Sequence, residues 1–492
     1  MPPKRPNIKS RGAQIKPKPA NVQLLDRQLC NADAAIRAVG VASIPRIQAP
    51  VEPLTDSIVD KLEHQNWYIR RVGSQAAVTA IQSKDAAGVT VKDTLGTRLE
   101  STDPEIRRCA ANGLTGIVEV AAAPDPPSLI PEKTAEAAAE ELFKRISHQD
   151  PRVREETLKA IGKIGELARP AMKQALSRLA DDDPSVRRRA VELCTSLGVV
   201  ATEAVEEVAT LLQHQESIFR RTGTKALIRL ADHSGAQVAA AVARQLEHCP
   251  DVVHRRAILL LMVDLGPLFS PHGRTIAQML NDSDSGIRVQ ATKALVAAGP
   301  AVADTCLDVV VPRMDHHDRT MRRAAVDCMR EMAAISAPFA RAAGRYLQEE
   351  PDDLADPTQY RMDVLRVLGG AQKHAVPFLE EMAYALEDRE WAIRRAAIEA
   401  LSDLGEHAEL AAPGVAMRML HHEPEVRSAA VECLGRMGLY AGEYATSVEG
   451  LLEQEEDEEV INMCKVAHKM LLESGVFEAL QEAAAATGHL DP

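Results

Sequence analysis

A chain of 492 residues that is 46% apolar can bury a large core, so its composition excludes an intrinsically disordered protein. Only 3% of the residues are aromatic, and small aliphatic side chains favour closely packed helices over strands. The formal net charge of −13 argues against general nucleic-acid binding, which needs a basic surface.

The chain begins with a basic segment over residues 1–20. It has no acidic residue, and its prolines oppose a helix. Its six basic residues are Lys4, Arg5, Lys9, Arg11, Lys16 and Lys18. We predict a basic disordered arm over 1–20, a helical body over 21–480 and a C-terminal tail over 481–492. No apolar run approaches the ~20 residues of a membrane span, and eight scattered cysteines without a CxxC pair indicate a reduced, cytoplasmic protein.

A short string then recurs along the body: an acidic residue, often Pro, any residue, an aliphatic residue and Arg. Residues 150–154, 183–187 and 423–427 are examples. The residue before the Arg serves as the anchor of each unit. The anchors are Ile36, Ile69, Ile106, Val153, Val186, Phe219, Val253, Ile287, Met321, Tyr360, Ile393, Val426 and Val460. Nine of the twelve intervals are 33 or 34 residues, which indicates one repeated unit.

Each unit has the pattern of two helices. The acid three residues before the anchor predicts the N-cap of the second helix, and Pro suits its first position. Apolar or small residues follow at the anchor and 4, 7, 8 and 11 residues later, on one helical face. Glycine predicts the end of this helix at Gly165, Gly198, Gly266, Gly405 and Gly438. A further apolar helix leads into the next unit.

The Asp-Pro-x-Val-Arg string, the Ala four residues later and the Leu-Gly at the helix end resemble HEAT repeats. The resemblance extends from about Leu24 to about Leu480. It implies an all-α, armadillo-like fold: a right-handed superhelical solenoid of about 13 HEAT-like two-helix repeats. The family includes phosphatase scaffold subunits, nuclear transport receptors, axonemal proteins, bilin lyases and an iron hydroxylase. The repeated His-Glu pairs of the hydroxylases are missing here, apart from His422-Glu423.

Two units are longer than the others, with insertions near 121–135 and 349–357. Insertions in a solenoid emerge as loops on one face, often the binding face. Tolerated surface loops are the alternative interpretation.

Arginine occupies two successive positions of the second helices. Eleven of thirteen units have Arg directly after the anchor, which predicts a ladder of bonds to acids and carbonyls between repeats. The next position lies 200° from the anchor, on the face that lines the concave surface of a HEAT stack. It holds Arg71, Arg108, Arg188, Arg221, Arg255, Arg323 and Arg395. This column is either a basic stripe for a partner or solvated charge paired with acids such as Glu192 and Glu399.

The second helix after anchor Val253 is apolar on nearly every side over residues 257–265. Leu259 and Met262 lie at 240° and 180° from that anchor, so we expect both to point outward. With Val289 and Val296 of the next unit they predict an apolar patch that binds a partner. The alternative is a locally tightened superhelix that buries them.

Histidine recurs five residues before the anchor, at His64, His148, His214, His248, His316 and His421. Successive repeats are ~9–10 Å apart, so neighbouring residues of this column cannot share a zinc ion. The favoured interpretation is a His at the C-terminus of the first helix, and a pH sensor is the alternative. Residues 281–286 resemble a calcium loop only faintly, because Thr292 stands where that loop needs Glu.

These observations predict a non-enzymatic scaffold or adaptor, without cofactor or metal, that grips an acidic or extended protein segment along its concave face. Neither nucleic acid nor a membrane is an expected partner. A structural component of a cytoskeletal or axonemal assembly, docked on a microtubule-type polymer through the basic arm, is the alternative. An enzyme of the bilin-lyase kind is a third hypothesis, without an identified site. Arm docking should weaken steeply with ionic strength, whereas apolar binding should not.

Overall fold

A computed structural model of the chain describes residues 18–62, 64–83, 85–121, 132–348, 354 and 356–477. Throughout these ranges the regular elements are helices, and none is a strand. The predicted all-α class is therefore confirmed. Residues 122–131 and most of 349–355, where the two insertions fall, lie outside the described part, as do residues 1–17 and the tail from 478 onward.

The α-helices divide between two compact units, Met1–Ser234 and Gly235–Pro492. The first unit contains Ala20–Leu29 (α1), Ala34–Ser43 (α2), Val51–Leu62 (α3), Trp67–Ser83 (α4), Asp85–Arg98 (α5), Pro104–Ala121 (α6), Glu132–Phe143 (α7), Pro151–Ile161 (α8), Met172–Leu176 (α9), Pro184–Ser196 (α10), Val205–Thr210 (α11) and the first part of Ser217–Glu247 (α12). The non-helical dihedrals of Ser234 (φ −149°, ψ 57°) interrupt α12 at the boundary.

The second unit contains the rest of α12 and thirteen further described α-helices. They are Val252–Leu265 (α13), Gly273–Gln278 (α14), Ser285–Ala298 (α15), Ala303–Val310 (α16), Arg319–Ile335 (α17), Ala337–Gln348 (α18), Pro357–Gly370 (α19), Leu379–Tyr384 (α20), Trp391–Ser402 (α21), Ala408–Met417 (α22), Pro424–Met437 (α23), Ala445–Gln454 (α24) and Glu458–Glu473 (α25).

Short 3₁₀ segments extend many of the first helices and lead into them. They are Ile44–Arg46, Gly165–Ala171, Ser177–Ala180, Gly198–Ala204, Leu211–Gln213, Gly266–His272, Met279–Asn281, Pro300–Val302, Val311–Asp315, Gln372–Phe378, Ala385–Glu387, Gly405–His407, Arg418–Leu420 and Gly438–Tyr444.

The helices alternate as the first and second members of two-helix repeats, and the described residues contain thirteen such pairs. The two parts of α12 are the second helix of the sixth pair and the first helix of the seventh. Second helices begin where the acidic residues predicted: Asp150, Asp183 and Asp318 accept backbone N–H groups as N-caps. The predicted apolar face is buried, as Ile393, Leu401 and Leu404 show.

The predicted register of the seventh repeat is wrong by one residue. Its assigned anchor, Val253, is 58% exposed, whereas anchors elsewhere, such as Val186 and Ile287, are buried. The N-cap Asp251 lies three residues before His254, and the N-cap–anchor spacing is also three for Asp183 and Val186. The anchor position of this repeat is therefore occupied by His254, and the preceding interval is one residue longer than in the predicted register.

Several second helices are followed by a residue with positive φ. The five glycines predicted to close helices, at positions 165, 198, 266, 405 and 438, all have φ between 48° and 57°. In the tenth repeat Gln372 holds the same position, twelve residues after the anchor, with φ 48°. A residue with a Cβ atom is strained there, because the left-handed conformation costs roughly 1–2 kcal/mol.

We predict that Gln372→Gly raises the free energy of unfolding by about 0.5–1 kcal/mol, since relief of this strain exceeds the extra entropy that glycine has in the unfolded chain. Urea unfolding measures the change. The matched control is Gly405→Gln in the next repeat, which has φ 57° and open space around its Cα. That variant should lose stability, and a loss in both variants would contradict the assignment of strain to Gln372.

No single described helix combines the length and apolar character of a membrane span. One pair, Ser285–Ala298 with Pro300–Asp315, meets those criteria only when its two parts are taken together, and the chain bends by 110° between them.

Candidate partner-binding surfaces

The arginine that follows each anchor is a structural residue. In ten of the thirteen described repeats, its Nη1 atom donates to the two carbonyls five and six residues earlier, in the turn before its own helix. Arg154 bonds the carbonyls of His148 (2.7 Å) and Gln149 (2.9 Å) in this way. The same pair of bonds recurs at Arg37, Arg70, Arg107, Arg187, Arg220, Arg255, Arg288, Arg394 and Arg427. These arginines are structural, as predicted, but the carbonyls that they bond belong to their own repeat, so the prediction of carbonyl bonds between repeats is wrong.

Several ladder arginines also bridge to the next repeat. Arg154 donates to both carboxylate oxygens of Asp181, at 2.8 and 2.6 Å. Arg255 contacts Asp282 at 2.8 Å. Arg427 binds Glu455 with two bonds of 2.7 and 2.8 Å. Such bidentate, charge-assisted bonds fix the orientation of both groups, so the ladder ties consecutive repeats together.

The bond to Arg427 lowers the pKa of Glu455 from its ordinary 4.5 to about 2. A carboxyl group with a depressed pKa in the folded state stabilises the fold above its unfolded-state pKa, and this contribution disappears as pH falls towards the folded-state pKa. We predict that melting temperatures of the wild type fall more between pH 4.5 and 2 than those of Glu455→Gln. Glu456→Gln, at the exposed neighbouring residue, is the control. Parallel profiles for the wild type and Glu455→Gln would contradict the prediction.

The histidine column closes the turn between the two helices. The Nδ1 atoms of His148 and His316 accept the backbone N–H two residues later, each at 3.0 Å. His64, His214 and His421 do the same. Aspartate performs this role in other repeats, for example at Asp181 and Asp282. These histidines follow the first helix, as predicted, and their side chains are hydrogen-bond acceptors for the turn. The favourable effect of the helix dipole stays a prediction.

His248 does not belong to this column, because the one-residue shift places Cys249 in the position. The faint calcium loop also has a structural explanation, since Asp284 caps α15 and Asp282 binds Arg255. Among the described residues no cluster of three metal-ligating side chains is present.

The second arginine column separates into three groups. Arg255 was wrongly assigned to it: this residue belongs to the ladder, and Arg256 takes the outward position. Arg108, Arg323 and Arg395 are paired with acids on their own helices, Glu105, Asp327 and Glu399. Arg71, Arg188 and Arg221 are exposed, and the described part of the chain gives them no ion-pair partner.

The predicted outward position of Leu259 and Met262 is wrong, because both side chains are completely buried. With His254 as the anchor, Met262 is eight residues on and belongs to the buried face. Leu259 is five residues on, a position that is also buried at Ile398 and Val431. Leu260 instead points outward on α13.

Val289, Val296 and Arg323 of the predicted surface lie together in a groove of about 700 Å³ in the second compact unit. We call it the α15–α17 groove, after the two second helices that form most of it. Val289 is 53% exposed and Val296 is half-buried. The remaining lining includes Val263, Thr292, Lys293, Ala324, Asp327 and Glu331.

A second groove, of about 750 Å³, lies between the second helices α4 and α6 of the first unit. It brings Arg71 and Arg108 together beside the exposed ring of Trp67. Trp67 was not among the predicted binding residues, although the sequence contains a signal for it. The chain has only two tryptophans, and both Trp67 and Trp391 lie two residues before an anchor and are exposed.

The basic segment lies largely outside the described residues, which leaves Lys4, Arg5, Lys9, Arg11 and Lys16 without a structural account. Lys18 is described and is not part of a free arm. Its Nζ atom contacts Asp26 at 3.2 Å and Asp60 at 3.4 Å, and α1 begins at Ala20. The predicted arm boundary at residue 20 is therefore too late, because these ion pairs hold Lys18 against the first two repeats.

Comparison with known proteins gives one family match and several similar folds. Residues 128–193 match the family model described as HEAT repeats. A crystal structure of the karyopherin Kap121p with the extreme C-terminus of the protein phosphatase Cdc14p has 12% sequence identity and a TM-score of 0.41, covering 91% of this chain and 53% of that one. The structure of Kap121p bound to Nup53p has 13% sequence identity and a TM-score of 0.42, and the match covers 92% of this chain and 53% of that one. The chain thus spans about half the length of these structures. No curated protein matches it.

Proposed function

We propose that this chain, a solenoid of HEAT repeats, is a non-enzymatic scaffold that binds a protein partner on the face formed by its second helices. The observation that carries the proposal is the α15–α17 groove, where an outward apolar surface is surrounded by charged residues. Valines that protrude into solvent with a charged rim are typical of protein-binding sites.

The lining of the groove indicates the kind of segment that fits. Val289, Val296 and Val263 supply an apolar floor. Lys293 on α15 and Arg323, Asp327 and Glu331 on α17 offer both signs of charge beside it. An amphipathic helix or extended segment that presents aliphatic side chains would bury that floor and pair its own charges with the rim.

The role of the polar side chains supports binding rather than catalysis. The ladder arginines, the turn histidines and the capping aspartates are the residue types that an enzyme would use. Each of these groups is engaged in bonds that hold the repeats together, as in Arg154 to Asp181 and His148 to Asp150. In the groove itself, Arg323 is bonded to Asp327 at 3.2 Å.

The test compares Val289→Glu with Leu410→Glu. Both leucine and valine side chains are more than half exposed in the same compact unit, so neither change should cost more than ~0.5 kcal/mol of stability. Proteins crosslinked to the wild type in cells are identified, and each candidate is then purified and titrated. A true groove partner should bind Val289→Glu at least ~10-fold more weakly and Leu410→Glu normally. Equal binding to both variants would overturn the proposal.

The alternative proposal is that a cytoskeletal polymer docks on the basic N-terminal segment. Two further measurements distinguish this docking from binding in the groove. Removal of residues 1–17 should abolish arm docking and leave groove binding unchanged. Arm docking should also weaken steeply as salt increases, whereas apolar binding in the groove should change little.

A further inference from the structure

A row of basic side chains lies on the first compact unit, on the exposed face of the second helix that starts α12. Arg221, Lys225 and Arg229 follow one another at intervals of four residues, so they share one helical face over about 12 Å. Arg188 holds the equivalent position on α10. All four side chains are exposed, and the described residues provide none of them with an ion pair. We call these four residues the basic row.

The two helices of the basic row lie side by side at their N-terminal ends. The guanidinium group of Arg187 stands 5.6 Å from the centre of the Phe219 ring, which joins the start of α10 to the start of α12. Packed helix axes are 8–10 Å apart, so Arg188 lies within about one helix diameter of Arg221. The row is therefore a two-helix surface rather than an isolated line of charge.

The charges of the basic row are not relieved within the chain. Like charges four residues apart destabilise a helix, and the row has two such pairs. The positive end of the helix dipole adds to the repulsion, and the first turn of α12 contains no acidic residue. Two later repeats avoid this arrangement, because an acid stands where α12 has Lys225: Asp327 pairs with Arg323, and Glu399 with Arg395.

Two acidic residues beside Arg188 are already paired with another arginine. Glu192 binds Arg189 at 2.6 Å, and Glu155 contacts that same arginine at 3.3 Å, so both are already paired. Asp232 lies three residues beyond Arg229 and leaves a surplus of positive charge on the face. A negatively charged ligand would remove this repulsion, which is energy available for binding.

We propose that the basic row binds an acidic, extended segment of a protein partner. The four cations cover an area about 12 Å long and one helix spacing wide. An extended chain advances ~3.3–3.6 Å per residue, so a few of its carboxylates can face these cations. Arginine binds carboxylates with paired bonds. The net charge of −13 disfavours a long nucleic acid, which must pass the acidic remainder of the surface. This surface and its partner chemistry are independent of the α15–α17 groove.

The experiment titrates the full chain with a fluorescein-labelled peptide of alternating Glu and Gly residues. The double variant Arg221→Glu/Lys225→Glu should bind at least ~10-fold more weakly, because attraction becomes repulsion. Arg169→Glu/Lys173→Glu, with the same change in net charge on the first-helix side of the same unit, should bind like the wild type. Lys225→Glu alone should weaken binding yet keep or raise the melting temperature, since it relieves repulsion in the helix.

Three results would overturn the proposal. The first is unchanged peptide binding in the Arg221→Glu/Lys225→Glu variant. The second is an equal loss in both double variants, which would mean attraction to overall charge. The third is that a single-stranded oligonucleotide of equal charge binds more tightly than the peptide and loses this binding in the same variant. The row would then be a nucleic-acid site. Arg221→Gln/Lys225→Gln replaces the charge-reversed variant if that variant does not fold.

Discussion

Replacing Asp181 with Ala is expected to lower the free energy of unfolding of the first compact unit by about 3–5 kcal/mol. The Asp181 side chain is only 1% exposed and receives two bonds from Arg154. It also accepts the backbone N–H of Asp183 at 3.0 Å, which closes the turn before α10. The substitution removes all three bonds and leaves the mostly buried guanidinium of Arg154 without a countercharge.

The control for this prediction is Asp308→Ala. Asp308 is paired with Arg274 across repeats as well, but both side chains are 61% exposed. Exposed pairs contribute ~0–1 kcal/mol, so this variant should stay close to the wild type. Asp181→His should lose an intermediate amount, because His148 shows that histidine can close the turn without a carboxylate. Similar urea unfolding curves for Asp181→Ala and Asp308→Ala would contradict the prediction that the buried Arg154–Asp181 pair stabilises the unit.

The helical repeat could be predicted from the sequence because its causes are local. An N-cap, a proline at the first helical position, an apolar face and a closing glycine all act within one helix. The register error in the seventh repeat shows which local signal is strongest. Val253 resembles an anchor because it is aliphatic, but the N-cap and the closing glycine indicate the register more reliably. Their separation is fifteen residues from Asp150 to Gly165 and again from Asp251 to Gly266.

The surface was harder to predict, because it depends on contacts between repeats. Whether an outward arginine is paired depends on which acid another helix presents, as with Arg395 and Glu432, 37 residues apart. The α15–α17 groove likewise needs two helices from different repeats. Val289 and Val296 could be identified from their helical positions alone, whereas Leu259 could not, since neighbouring helices cover the flank on which it lies.

Met262→Glu is expected to have the other large effect, a loss of several kcal/mol in the second compact unit. Met262 is completely buried on α13, which packs against α15. A carboxylate at that position would have to remain unpaired in an apolar environment or become protonated, and either outcome opposes folding. Hydrogen exchange should show faster opening of both helices, while repeats at the far end of the unit remain protected, because stability in repeat proteins is local.

Leu260→Glu is the matched control, two residues away on the same helix. Leu260 is 47% exposed, so a charge there can remain solvated, and the cost should not exceed ~0.5 kcal/mol. The pair also tests the register of the repeat. With Val253 as the anchor, Leu260 would be seven residues on and buried, and Met262 would face solvent. In that register Leu260→Glu would be the destabilised variant and Met262→Glu the stable one. A stable Met262→Glu variant together with an unfolded Leu260→Glu variant would restore the Val253 register and return Met262 to the binding surface.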